Sequence, residues 1–339
     1  MVSAAIYGCE GTALSESEEK FFRETDPWGF ILFRRNCETA DQVWSLCDAL
    51  QSAVGREAPI LVDHEGGRVS RLSPHIAPKR PPMGLFFEIA ETKGIEVGVK
   101  AARLGGELLA RDAMAVGLNV NCVPMVDVRQ PDAHDIVGDR ALGEAPDIVT
   151  ALGRAVMEGT FAGGCLPVIK HIPGHGRATS DSHLDLPKVE ASREDLEDND
   201  FAPFKALADA PLGMTAHIVF EALDADRPAT LSPQVIEKII RGTIGFDGLL
   251  MTDDLSMKAL SGSFTDRAAA SLKAGCDLVL HCNGDMVEMK AVAEGTGELT
   301  EGGEVRSQRA LNQLVKPADT NLHALEEAFA SLTNTGNLS

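Results

Sequence analysis

The chain has 339 residues, 44% of them hydrophobic and 24% charged, and 51 acidic against 31 basic side chains give it a net charge of −20. So acidic a surface repels nucleic acid and anionic membranes and excludes both as expected partners. The length exceeds what most single cores hold, the α/β barrel being the architecture that runs this long as one domain.

The opening residues, "MVSAAIYGCEG", lack a basic stretch ahead of a long apolar run, so they read as a first strand and not as a signal peptide. The run over 3–11 is the first of eight: 29–36 ("GFILFRRN"), 58–67 ("APILVDHEGG"), 118–128 ("LNVNCVPMVDV"), 166–174 ("LPVIKHIPG"), 212–217 ("LGMTAH"), 248–254 ("GLLMTDD") and 277–283 ("DLVLHCN") follow. Continuous apolar runs of this length predict parallel strands buried on both faces. None approaches the ~18 apolar residues of a membrane span. The seven cysteines (Cys9, Cys37, Cys47, Cys122, Cys165, Cys276, Cys282) are scattered, odd in number and without a C-x-x-C pair. They read as reduced thiols, and the protein is expected to be cytoplasmic.

Helical patterns lie between the runs. Thr39-x-x-Gln42 is a capping-box pattern ahead of "VWSLCDALQSAVG". Residues 98–117 ("GVKAARLGGELLARDAMAVG") predict a long amphipathic helix ended by glycine. Ser232-Pro233 places an N-cap and a first-turn proline before "QVIEKIIRG". Strand and helix alternating eight times predict a single-domain (β/α)8 barrel over 1–339, with 316–339 as a C-terminal helical tail. The alternative, a doubly wound sheet, has fewer strands and a glycine-rich first turn that "GCEGT" fits badly.

Barrel active sites lie at the C-terminal ends of the strands. The polar residues there are Asp63 and Glu65 after the third run, Asp127 after the fourth, Lys170 and His171 after the fifth, His217 after the sixth, Asp253 and Asp254 after the seventh, and His281 and Asn283 after the eighth. Any one of them is an ordinary strand end emerging into water. As a set, charged groups joined directly to apolar runs are costly unless they pair.

The stretch "KHIPGHGRATSDSHLDLP" (170–187) admits several chemistries. His171, His175 and His183 with Asp181 and Asp185 offer metal ligands, but the spacing is not H-E-x-x-H and the prolines and glycines prevent one helix. A phosphate loop fails for want of G-K-[ST]. A glycine-hinged loop bearing Asp181-Ser182-His183 remains, in which a carboxylate two residues from an imidazole can orient it for proton transfer. In "LLMTDDLSM" (249–257), side-chain alternation lets one of Asp253 and Asp254 face the barrel mouth as a nucleophile while the other caps a following helix. "VDHEGGRVSRL" (62–72) places a carboxylate at a strand end with glycines that admit a close ligand.

These stretches, with "GDRALGEAP" (138–146), "TAHIVFEALDADRPATLSP" (215–233) and "AGCDLVLHCN", fall in the order found in glycoside hydrolase family 3. The resemblance runs from about residue 5 to about 285 and is to the single-domain NagZ-type β-N-acetylglucosaminidases. It implies a (β/α)8 barrel, Asp253 as catalytic nucleophile, His183 as acid/base and Asp181 as its partner. It further implies that Asp63, Arg71, Arg140, Lys170 and His171 hold a terminal N-acetylglucosamine. His64 stands where the family often has Gln, and "ALG" after Arg140 where it often has Ser and an aromatic.

The implied reaction is retaining removal of N-acetylglucosamine from GlcNAc–1,6-anhydro-MurNAc, with or without its peptide, in peptidoglycan recycling. Asp253 forms a glycosyl-enzyme; His183 protonates the leaving oxygen and then deprotonates water. A histidine of ordinary pKa, about 6.5, serves both steps near neutral pH. The expected partner is a small amino-sugar substrate, with no metal and no organic cofactor. A phosphorylase or β-glucosidase of the same family and a non-catalytic sugar-binding barrel are the alternatives. Intact Asp253, Asp181 and His183 speak against the last.

Overall fold

A computed structural model of the chain describes residues 2–131, 137–178, 186–317 and 321–333. Eight strands close a barrel: β1 (Ser3–Tyr7), β2 (Pro27–Leu32), β3 (Ile60–Val62), β4 (Val120–Asn121), β5 (Leu166–Ile172), β6 (Leu212–Thr215), β7 (Leu249–Asp254) and β8 (Leu278–His281). Each pairs in parallel with its sequence neighbours, and β1 closes the ring on β8 through Ala5–Val279, Ile6–Leu280 and Tyr7–His281. Each of the eight runs marks one barrel strand, and β2 begins two residues ahead of its run, at Pro27.

Alternation along the strands divides the apolar residues between two layers, with its phase shifting in β2 and at the irregular end of β5. Ala4 and Ile6, Leu166 and Val168, Leu249 and Met251, and Leu278 and Leu280 share the barrel interior. Ala5 and Tyr7, Ile169 and Ile172, Leu250, and Val279 pack outward against the helices. Continued upward, this alternation points Lys170 and Asp253 into the mouth.

The helices carry the start signals that the sequence predicts, with amendments. Helix α1 (Glu16–Thr25) has a complete capping box from Ser15 and Glu18. Before α2 (Ala40–Val54), Thr39 Oγ1 accepts from Gln42 N at 3.3 Å, but the Gln42 side chain caps Glu38 N and not Thr39 N, so half of the box forms. The third crossover holds two helices: α3 (Gly84–Lys93), which the periodicity did not predict, and α4 (Ile95–Met114), separated at Gly94. Helix α5 (Pro146–Ala162) leads into β5. Ser232 Oγ caps Val235 N at 3.1 Å as expected, and the helix that follows is wide, with π-type turns over Val235–Thr243. The terminal helix Leu322–Thr333 packs on α3 and α4, its Phe329 ring edge-on to Phe86. All seven cysteines are buried free thiols. No helix among the described residues is long and apolar enough to cross a membrane.

Candidate active site

At the C-terminal mouth, β5 delivers Lys170, only 2% exposed, to two carboxylates. Its Nζ lies 2.9 Å from Asp63 Oδ1 and 2.7 Å from Glu65 Oε1. Asp63 follows β3 directly, and a hairpin pairing His64–Gly66 with Val69–Ser70 returns the chain so that Arg71 reaches Asp63 at 3.4 Å. That reversal runs through Gly66 (φ +84) and Gly67 (φ +56), left-handed conformations that L side chains rarely adopt. Glu65, 1% exposed, receives Arg140 from the turn Gly138–Arg140 in a bidentate pair, both contacts 2.8 Å.

Three cations and two carboxylates thus form one network with Lys170 and Glu65 buried at its centre, and their charges hold each other ionised. Burial works to raise the Glu65 carboxyl, but Arg140 and Lys170 outweigh it and hold the group down at about 2. Asp63 is likewise held below the ordinary carboxylate range, Lys170 and Arg71 overcoming burial. Burial also opposes the charged form of Lys170, yet Asp63 and Glu65 keep its ammonium pKa above the usual value.

Next to Lys170, His171 donates Nδ1–H to Asp127 Oδ2 at 2.7 Å. The other Asp127 oxygen accepts the backbone N–H of His171 at 3.2 Å and of His175 at 2.6 Å. This wholly buried carboxylate therefore fixes the His171 ring and the chain beyond it. His175 is kept neutral, burial first and His171 second pulling its pKa down to about 4. The chain next passes Gly174 (φ +141) and then Gly176, where a Cβ would lie 1.8 Å from Val128 O. Glycine at 176 is thus a steric requirement of the loop's anchorage. Arg177 Nε then binds the buried Asp200 Oδ2 at 2.7 Å.

Asp253 lines the same cavity, as its place after Leu249 and Met251 requires. Asp254 also borders the cavity, but its carboxylate is engaged elsewhere: Ser256 N donates at 3.0 Å, Cys282 N at 3.1 Å, and Ser256 Oγ donates as well. The expectation of a helix cap here needs correction. Asp254 closes a turn, and the next helix begins at Phe264 under the cap of Ser263. Buried His217 supports this end of β7, its Nε2–H donating to Asp254 O at 3.1 Å and its Nδ1 lying 2.7 Å from Thr230 Oγ1.

Asp63, Arg71, Arg140, Lys170, His171 and Asp253 therefore converge on one cavity of about 220 Å³, with an apolar wall that includes Ile31, Phe33, Met214 and Leu280. Asp181 and His183 lie outside the described residues. His281 and Asn283 do not join the site; both turn to Glu288, at 2.8 and 2.9 Å. Glu65 and Asp127, which the sequence marks only as strand-end residues, prove central to the network. Among the described residues no group of three or more His, Cys, Asp or Glu side chains stands together as a metal site.

The model of the "Glycosyl hydrolase family 3 N terminal domain" matches residues 10–315. A beta-hexosaminidase of Methylococcus capsulatus is 38% identical over 282 residues, 82% of each chain. One of Tolumonas auensis is 34% identical over 285 residues, covering 82% of this chain and 81% of its own. The crystal structure of NagZ from Neisseria gonorrhoeae in complex with N-trifluoroacetyl-D-glucosamine superposes with a TM-score of 0.87 at 30% identity, covering 97% of both chains. With these matches spanning the barrel and its charged mouth, the chain belongs to glycoside hydrolase family 3 and is a glycoside hydrolase of the β-hexosaminidase kind.

Proposed function

We propose that the protein is a retaining β-N-acetylglucosaminidase that removes terminal N-acetylglucosamine from peptidoglycan fragments, GlcNAc–1,6-anhydro-MurNAc with or without its peptide, during cytoplasmic cell-wall recycling. The supporting observation is the convergence of Asp253 with the Lys170–Asp63–Glu65–Arg140 network around one small cavity. In this reading the barrel is the catalytic unit and residues 316–339 are its helical tail.

Lys170, Arg71, Arg140 and Asp63 offer fixed donors and acceptors to sugar hydroxyls and the acetamido group. His171 has its Nδ1–H committed to Asp127, which leaves Nε2 for the sugar. With the sugar so held, Asp253 attacks the anomeric carbon as the bond to the leaving oxygen breaks, forming a glycosyl ester. His183, oriented by Asp181, gives its proton to the leaving oxygen. In the second step it takes a proton from the water that attacks the anomeric carbon, and the Asp253 carboxylate is released.

The test compares leaving groups. An aryl GlcNAc glycoside is expected to exceed the matching glucoside in kcat/KM by at least about tenfold, the scale of one good contact. His183→Ala should nearly abolish turnover of a disaccharide, whose alkoxide needs the proton. With a dinitrophenyl glycoside the first step should survive and glycosyl-enzyme should accumulate as a burst. Equal losses on both leaving groups, with no burst, would refute the acid/base assignment, and equal rates on glucoside and GlcNAc glycoside would refute the substrate.

A further inference from the structure

A larger cavity, about 460 Å³, lies beside the one that holds Asp253, and the two share a wall. The wall is the turn Gly138–Arg140 with its next residue: Arg140 lines the sugar cavity, while Gly138, Asp139 and Ala141 line the second. The 2.7 Å ion pair of Arg68 with Asp139 extends that partition from the hairpin that carries Arg71. The remaining lining comes from the segments after β3 and β4 and from the first turns of α3. The cleft therefore lies at the same end of the barrel as Asp253. A group joined to a sugar held at Lys170 can reach the cleft across this rim.

Arg129 stands in the cleft half-buried, and its guanidinium has no hydrogen-bond or ion-pair partner among the described residues. Its backbone is fixed on both sides. Arg129 N–H donates to Gly143 O at 3.2 Å, and Gln130 N–H to Gly176 O at 3.1 Å. Two residues upstream, Asp127 anchors His171 and His175, so the guanidinium is mounted on the same strand exit as the sugar network. The cleft's carboxylates do not neutralise it: Asp139 is taken by Arg68, while Glu88 and Glu144 are exposed. A guanidinium partly withdrawn from water, without a carboxylate partner among the described residues, has the donor geometry for an incoming one.

We propose that this cleft receives a carboxylate carried by the leaving portion of the substrate, with Arg129 as its anchor. The inference rests on the glycosidase reading and names what the enzyme recognises beyond the sugar. Two sources carry the same chemistry. In bare GlcNAc–1,6-anhydro-MurNAc the carboxylate is that of the lactyl ether. When the peptide is attached the lactyl group is an amide, and the carboxylates are the peptide's own.

The test measures kcat/KM for wild type, Arg129→Gln and Arg129→Lys on four substrates: nitrophenyl GlcNAc, the neutral disaccharide chitobiose, the bare anhydro-disaccharide and its tripeptide form. Arg129→Gln should lower kcat/KM about tenfold on the carboxylate-bearing substrates, through KM, the scale of one charge-assisted hydrogen bond. The two neutral substrates should be unaffected, and Arg129→Lys should recover part of the loss. A loss confined to the bare disaccharide assigns the lactyl carboxylate, and one confined to the tripeptide form assigns the peptide. A variant that changes all four substrates alike, or none, overturns the proposal. Calorimetric titration with the products, anhydro-MurNAc and its tripeptide, separates this from catalysis. Weaker product binding by Arg129→Gln in a protein that cleaves no GlcNAc glycoside would keep the carboxylate site and refute the glycosidase reading. Product binding equal in wild type and Arg129→Gln would refute the site itself.

Discussion

Replacing Glu65 by Gln tests whether the buried charges at the mouth act as one network. Glu65 is 1% exposed and meets Lys170 at 2.7 Å and Arg140 at 2.8 Å on each oxygen. Glutamine keeps the volume and one acceptor but removes the charge, and its amide turns a donor toward one of the cations. Breaking a buried ion pair from one side costs about 3–5 kcal/mol. Lys170 retains Asp63 at 2.9 Å, which places this case at the low end, about 3 kcal/mol. With an unfolding entropy of about 2.1 cal/mol/K per residue, 339 residues give about 0.7 kcal/mol/K and a fall in Tm of about 4 °C. Burial would raise the Glu65 carboxyl, but Arg140 and Lys170 hold it at about 2 in the folded chain, below its unfolded value. The wild-type advantage is therefore complete above the unfolded pKa of about 4.3 and shrinks as pH falls toward about 2. Calorimetry of both proteins at pH 7 and pH 4 reads the size and the sign. In aryl GlcNAc kinetics KM should rise more than kcat falls, because Glu65 holds the binding cations and is not assigned to the reacting atoms. A Tm change under 1 °C at pH 7, or a gap that widens on acidification, would show that the network is not coupled as its distances imply.

Asp253→Asn should lower kcat by several orders of magnitude, since an amide is a far weaker nucleophile. Asp254→Asn should cost much less, acting through the turn that Ser256 and Cys282 close; the reverse order in a kcat comparison would exchange the two assignments. Asp200 titrates in the opposite sense to Glu65: burial outweighs Arg177 and raises its folded pKa to about 6, so wild-type stability falls as pH rises from about 4 to about 6. The stability of Asp200→Asn relative to wild type should thus climb across that window, by an order of 2–3 kcal/mol, and level off above it, and a flat difference in urea titrations would contradict the burial argument. Prolonged chelation is expected to leave activity intact, and a loss restored by zinc would revive the metal reading of residues 171–183.

The barrel was legible because its signal is local. Each apolar run overlaps the strand that it predicts, and where the strand is regular its alternation fixes which side chains face inward. That rule takes Asp253 from Leu249 and Met251 to the mouth, and it rejects His281: with Leu278 and Leu280 inside, the next residue points to the helices, where its ring meets Phe264 and Glu288. Phase along the strand sorts these residues except at the end of β5, where the register shifts between Lys170 and Ile172 and both Lys170 and His171 line the cavity. The run 118–128 was harder to read, since only Val120–Asn121 pair as a strand; Pro124 has no backbone N–H for a ladder, and the chain continues irregularly to Asp127. The charged partnerships were not legible at all. Glu65 meets Arg140 across 75 residues and Lys170 meets Asp63 across 107, so no spacing rule along the chain relates them. What the sequence does carry is the constraint behind them. A lysine and carboxylates placed directly after buried apolar strands cannot stay unpaired there, and in a closed barrel the partners within reach are the other strand ends and the loops that follow them. That Lys170 meets carboxylates at the mouth therefore follows from the barrel and the charges together, whereas Arg140, which comes from the turn Gly138–Arg140, reaches Glu65 by a route that only the fold reveals.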